Sequence, residues 1–287
     1  MALPSSLIRN VRSKEARRVL SAASSDLVQW VTVTPSDCAA AHDLVASGVL
    51  DDDAEVSADN AAARSASNAQ RGEEFERLFW PERLSPSNCE LGAAAAVALL
   101  RCFALSADDR FLDLGCARGR VVLAAFGTTA CARCAGVELS PSDHALASAA
   151  RRRCLARCAD RNGAESGASA RRLPPFHCGD LRAHPALREY TVLYCAIRGD
   201  ASRPAVMADL LDRLLVDAPA PRAAGRTPRT TRLILAGFGL DVKGTAHEGR
   251  VRLVRAYALR APDAAALALY GAKEGPRVLL EYEVRAG

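Results

Sequence analysis

The sequence predicts a doubly wound α/β domain with a mostly parallel sheet, on three observations. From about residue 76, apolar runs of strand length alternate with helical patterns; a glycine turn joins the first of these strands to a helix; and the chain closes on two strands with no core-quality helix between them. Repeated βα units need parallel strands with crossover helices on both faces. A closing pair without a crossover helix predicts an antiparallel edge.

The elements follow in order. Residues 1–75 hold scattered Ala, Ser and Asp, the acidic run Asp51–Asp53 and weak apolar periodicity. They are expected to form a helical, partly flexible N-terminal appendage, with the domain proper spanning 76–287. Arg110–Leu114 is a strand, followed by glycines and the helix Arg120–Phe126. Cys134–Leu139 is the next strand, ending at Ser140–Pro141, where Ser suits a helix cap and Pro the first turn. Asp143 then sits in that first turn, where the helix dipole favours a carboxylate. A short apolar stretch ends Phe176-His177-Cys178-Gly179-Asp180, and Tyr190–Ala196 is a buried strand type. Met207, Leu210, Leu211, Leu214 and Leu215 mark an amphipathic helix. Thr231–Phe238, Val251–Leu259 and Val278–Val284 complete the strands. In the last of these, Val278, Leu280, Tyr282 and Val284 are expected to face one way, and Glu281 and Glu283 the other.

Composition narrows the function classes. The chain has 287 residues, 49% hydrophobic and 25% charged, which supports a sizeable core and argues against disorder throughout. No run approaches the ~20 apolar residues of a membrane helix. The net charge of +5 permits an acidic partner without demanding nucleic acid. Lysine appears only at 14, 243 and 273, so arginine supplies 35 of the 38 basic residues, a bias that looks like GC-rich coding. Ten irregularly spaced cysteines with no secretory signal read as free thiols in a reducing, intracellular setting. The Arg- and Ser-rich first 24 residues read either as an organelle transit peptide or as a basic surface helix.

Most functional information lies in Phe111-Leu112-Asp113-Leu114-Gly115-Cys116-Ala117-Arg118-Gly119-Arg120. A strand turning sharply into a helix brings backbone N–H groups and a positive helix end toward a ligand. A nicotinamide-type fingerprint would need glycines at 117 and 120, where the chain has Ala117 and Arg120. The glycine pair four residues apart after Asp-Leu suits a G-x-G-x-G turn with its middle glycine replaced. In this turn, and in Gly136-Val137-Glu138-Leu139, residues 105–287 resemble class I S-adenosylmethionine-dependent methyltransferases. That resemblance implies a seven-stranded, Rossmann-like sheet with a reversed last strand, and S-adenosyl-L-methionine as cofactor. It implies cofactor contacts from Asp113, Gly115, Cys116, Ala117 and Gly119, from Glu138 on the ribose hydroxyls, and from Asp180 near the adenine amino group.

The run D-L-G-C-x-x-G-R-V-V-L-A-A with G-V-E-L-S-P, preceded by a helix starting near Pro86, also resembles the non-SET histone-lysine methyltransferases of the disruptor-of-telomeric-silencing type. This implies a protein lysine acceptor, histone or nucleosome, and a nuclear or cytoplasmic location. Two departures stand against it. Ala117 replaces a glycine, and Cys195-Ala196-Ile197-Arg198 replaces an Asn-bearing motif beside the lysine channel. The alternatives are a small-molecule or nucleic-acid acceptor, or a silent binding module on the same fold. No residue stands out in the sequence as a general base.

Each site residue also has a plainer reading. Gly115 and Gly119 suit an ordinary turn, Asp113 a turn cap, and Glu138 a strand-end acid. Cys131, Cys134, Cys154 and Cys158 could form a zinc site but also suit core packing, and no metal is expected. The arginines at 151–153, 157, 161, 171 and 172 read as an acidic-partner patch or a solvated helix face. His177 and His184 read as structural. Phe79, Trp80 and Pro81 read as an acceptor lid or as packing of the appendage.

Overall fold

Eight strands form one sheet in the computed structural model, which describes residues 17, 18, 21, 25–52, 91–161, 173–196, 203–215, 230–236, 239, 240, 242, 245–260 and 277–285. The elements are β1 (Val28–Thr32), α1 (Pro35–Ala46), α2 (Ala93–Phe103), β2 (Arg110–Leu114), α3 (Arg120–Thr128), β3 (Arg133–Glu138), α4 (Pro141–Arg161), β4 (Phe176–Cys178), β5 (Val192–Cys195), α5 (Arg203–Leu215), β6 (Thr230–Ala236), β7 (Val251–Arg260) and β8 (Arg277–Arg285). The spatial order is β1-β7-β8-β6-β5-β2-β3-β4. Every pairing is parallel except those of β8, which runs antiparallel to both β6 and β7.

The doubly wound, mostly parallel sheet with a reversed last strand is therefore present, with two corrections. The strands number eight rather than seven, because β1 adds in parallel to β7. The reversed strand is not an edge: β8 inserts between β6 and β7 and leaves β1 and β4 outermost. The run Val-Gln-Trp-Val-Thr supplies the β-branched and aromatic residues that pack on a pleated surface. Thr34 then caps α1 in a reciprocal box, accepting from the Asp37 N–H while Asp37 accepts from the Thr34 N–H. Arg101 on α2 grips the same carboxylate with two N–H bonds of 3.0 Å. Residues 28–50 thus share the sheet and core with residues beyond 91.

Two apolar layers sandwich the sheet. On one face α1, α2, α3 and α4 cover Phe111, Tyr194, Ile234, Tyr257 and Leu279. On the other, Met207, Leu210, Leu211, Leu214 and Leu215 of α5 cover Leu112, Leu114, Leu193, Leu233 and Leu280. A parallel strand buried on both faces alternates between these layers, which is why β5 reads as a continuous apolar run and β2, after its first residue, as one interrupted only by Asp113. The expected alternation in β8 holds, with Val278, Leu280, Tyr282 and Val284 in the α5 layer, and on the opposite face Glu281 is buried as well. It is 4% exposed, accepts from Arg232 Nε at 2.6 Å and from the Tyr257 hydroxyl, and Arg232 also donates to the Phe103 carbonyl at 2.8 Å. Among the described residues, no helix is long and apolar enough to cross a membrane.

Candidate cofactor site

The site lies at the carboxyl ends of β2, β3 and β4, where open α/β sheets place their ligands. Gly115 and Gly119 both have positive φ, +88° and +77°, and Ala117 between them has φ +47°. Left-handed backbone costs a residue with a Cβ roughly 1–2 kcal/mol, so position 117 keeps the conformation of a glycine without being one. At Gly119 a Cβ would lie 2.4 Å from the Phe176 ring, and at Gly136 it would lie 2.6 Å from the Cys116 sulfur. Close packing of the turn on β3 and β4 requires both glycines, and backbone shape requires Gly119 as well.

Four N–H groups of the turn find acceptors within the fold rather than facing a ligand. Gly115 and Cys116 both donate to the Val137 carbonyl at 2.9 Å, and Gly119 donates to the Cys116 carbonyl at 2.7 Å. Ala117 donates to Glu138 Oε2 at 2.7 Å. The opposite oxygen of Glu138, Oε1, accepts from the Ser140 N–H at 2.8 Å. Ser140 in turn caps α4, its hydroxyl accepting from the Asp143 N–H at 3.2 Å, with Pro141 opening the helix as expected.

What the corner offers instead is carboxylates. Asp113 in β2 is 3% exposed and is the register partner of Gly136 in β3; Glu138, 8% exposed, ends that strand opposite Cys178. Asp180 follows β4 by two residues, and the intervening Gly179 donates to the Glu138 carbonyl at 2.8 Å. Burial raises the Glu138 carboxyl to about 7; the N–H groups of Ser140 and Ala117 act against the rise and the Asp143 charge adds to it. Burial also pushes the Cys116 thiol well up, reinforced by the charges of Asp113 and Glu138, so this cysteine is a packed neutral group between two acids. At Asp180 burial works upward too, but hydrogen bonds from Arg182 outweigh it and hold the carboxyl below its ordinary range.

S-adenosylmethionine fits this donor set. Its sulfonium calls for negative charge, and its diol and amino groups call for acceptors, both of which these carboxylates supply. Among the described residues, backbone N–H groups alone meet the Glu138 oxygens, Ala117 on Oε2 and Ser140 on Oε1, and a carboxylate's four lone-pair sites leave acceptor capacity for a hydroxyl.

The remaining sequence-predicted groups are dispersed. Cys131, Cys134 and Cys154 are buried among apolar side chains, and no cluster of three metal-ligating residues occurs among the described residues. Cys158 lies where side chains are outside the described set, as do Arg157 and Arg161. Arg152 and Arg153 are exposed on α4, and Arg153 pairs with Asp51. Cys195 is fully buried in the α5 layer, which removes it from any acceptor channel. Ile197, Arg198, the Phe79–Pro81 patch, Pro86 and residues 1–16 lie outside the described residues. His184 and His177 pack edge to face at 5.0 Å on the α5 side of β4. The sequence reading missed Arg182, which carries no motif and was visible only as a basic residue two places after Asp180.

No family model matches the chain, and no curated protein matches it. Solved structures do show a likeness. An RNA methyltransferase from Salinibacter ruber, crystallised with S-adenosyl-L-homocysteine, is 20% identical over 66% of this chain and 89% of its own, with a TM-score of 0.37. The m1A22 tRNA methyltransferase TrmK of B. subtilis is 13% identical over 67% and 65%, with a TM-score of 0.42. TrmN from Thermus thermophilus is 16% identical over 67% and 48%, with a TM-score of 0.40. Likeness at these identities concerns the fold; what those proteins act on stays with them.

Proposed function

We propose that the protein binds S-adenosylmethionine at the carboxyl ends of β2, β3 and β4 and transfers its methyl group to a nucleic-acid acceptor. The observation that carries this reading is the inverted polarity of the glycine turn. The N–H groups of Gly115, Cys116, Ala117 and Gly119 find acceptors within the fold, and three carboxylates, Asp113, Glu138 and Asp180, gather at the same corner. That corner suits a cationic nucleoside.

When bound, the cofactor supplies the activated methyl on its sulfonium, and the protein supplies position and a dry site. Glu138 accepts from the ribose hydroxyls, with its oxygens held apart by the Ala117 and Ser140 N–H groups. Asp180 accepts from the adenine amino group. Asp113, buried at the root of the turn, meets the amino group of the methionine end. Gly115, Cys116, Ala117 and Gly119 form the floor beside it.

The lysine-acceptor reading has little to rest on, since Cys195 packs inward where the resemblance calls for a channel-lining motif. The net charge of +5 and the exposed Arg152 and Arg153 suit a polyanion, and RNA is the acceptor named for two of the structures above. The test is transfer of labelled methyl from S-adenosylmethionine to total RNA, to histone octamers and to a metabolite extract. Label in RNA is expected. Label in histone alone would overturn the acceptor and keep the chemistry; cofactor binding with no transfer to any pool would favour the silent module.

A further inference from the structure

We propose that Arg182 is a positioning residue that fixes the Asp180 carboxylate as an acceptor-only group, so that the site reads an amino rather than a keto substituent on the bound nucleoside's base. This rests on the reading of Asp180 as the group that meets the adenine amino group.

The grip is local and nearly complete. Asp180 caps the 3-10 turn Leu181–Ala183, with Oδ1 accepting from the Arg182 N–H at 2.8 Å and from Nε at 3.1 Å. Oδ2 accepts from Nε at 2.9 Å and from Nη2 at 2.6 Å. Three N–H groups therefore engage a carboxylate that offers about four lone-pair sites. That leaves capacity for one further donor, which matches a single amino N–H.

A lone carboxylate 34% exposed could rotate, turn to solvent or take up a proton. Held side-on by a guanidinium, it can do none of these cheaply. The clamp is itself anchored: Arg182 Nη1 reaches Asp209 on α5 at 3.5 Å, and at the end of the turn the carbonyl of buried His184 accepts from Arg213 of α5 at 3.3 Å. The position of Asp180 relative to Glu138 is set by the main chain through Gly179.

An ionised carboxylate facing a keto oxygen sets acceptor against acceptor, which costs affinity and offers nothing in return. The 6-amino group of adenine donates; the 6-keto group of hypoxanthine does not.

The test compares two ligands on one protein. S-adenosylhomocysteine and S-inosylhomocysteine, which differ at that position, are titrated into wild type, Arg182→Ala and Arg182→Lys by calorimetry. Wild type is expected to prefer the adenosyl ligand by about tenfold or more, the scale of one well-made hydrogen bond. Arg182→Ala should reduce the preference to about threefold or less, and Arg182→Lys should recover part of it. Because the readout is a ratio, a general loss of stability cancels. An unchanged ratio in Arg182→Ala, or tighter adenosyl binding by it, would overturn the role, the latter by making Arg182 a blocker. A wild type that binds both ligands equally would overturn this inference and leave the site standing; one that binds neither would overturn both.

Discussion

Glu281 and Glu138 are both buried at the sheet, and their surroundings differ in kind. Glu281 sits in β8 between strands on either side, with Arg232 on one oxygen and the Tyr257 hydroxyl on the other. Its charge is matched by a cation that itself ties back to the Phe103 carbonyl, and Tyr257 is pushed up, first by burial and then by the Glu281 charge, so it stays a donor. Glu138 ends its strand at the sheet margin and is met by backbone N–H groups, those of Ala117 and Ser140 first among them. No ion pair to it occurs among the described residues. One acid is satisfied and belongs to the architecture; the other is left with acceptor capacity and an elevated pKa, the condition of a group that awaits a ligand.

The largest effect should come from breaking the closed network. Glu281→Ala leaves the Arg232 guanidinium and the Tyr257 hydroxyl without their shared acceptor, and removing one partner of a buried ion pair costs roughly 3–5 kcal/mol. A urea midpoint shift worth less than about 1 kcal/mol would show that the network is dispensable.

The second effect, about 3 kcal/mol at full extent, is a pH dependence at Glu138. Its folded-state value of about 7 lies above the ordinary 4.5, so the folded chain holds this proton more tightly than the unfolded chain. The resulting stability is complete below pH 4.5 and is lost as pH rises to about 7. Unfolding free energies of wild type and Glu138→Gln measured from pH 4 to 8 should diverge over that window, with only wild type losing this contribution. Parallel profiles would mean that the carboxylate is as well solvated as an exposed one.

The smallest effect is expected at Ala117, whose N–H Glu138 accepts. Glycine there removes a left-handed cost of ~1–2 kcal/mol but adds ~0.4–1 kcal/mol of unfolded-chain entropy. A net gain of about 1 kcal/mol or less is expected in a urea titration of Ala117→Gly. A loss beyond about 1 kcal/mol would mean that the methyl group packs rather than strains.

Much of the architecture was legible because it rests on period and punctuation. The strands before and after the glycine turn, the Ser140–Pro141 helix start and the buried face of α5 follow from apolar spacing and caps, which are local. Strand β1 carried a signal in Val28-Gln29-Trp30-Val31-Thr32, but the alanine-rich sequence around it masked the run, and its pairing with β7 is more than 200 residues distant in sequence. The alternation of β8 was legible, but the burial of Glu281 was not, since the groups that hold it, Arg232 and Tyr257, come from the neighbouring strands β6 and β7. Asp113, Glu138 and Asp180 were singled out by the family resemblance, and the structure places all three at the carboxyl ends of β2, β3 and β4. The direction of the turn's N–H groups was not legible, since it depends on the Val137 carbonyl accepting two of them.

The most direct test of the central claim is a calorimetric titration of S-adenosylmethionine into wild type and Glu138→Ala, with each protein's fold checked by its unfolding transition. The account predicts saturable binding to wild type and at least a tenfold loss in the variant, about 1.4 kcal/mol. Equal affinity in both folded proteins, or no binding to folded wild type at millimolar cofactor, would contradict it.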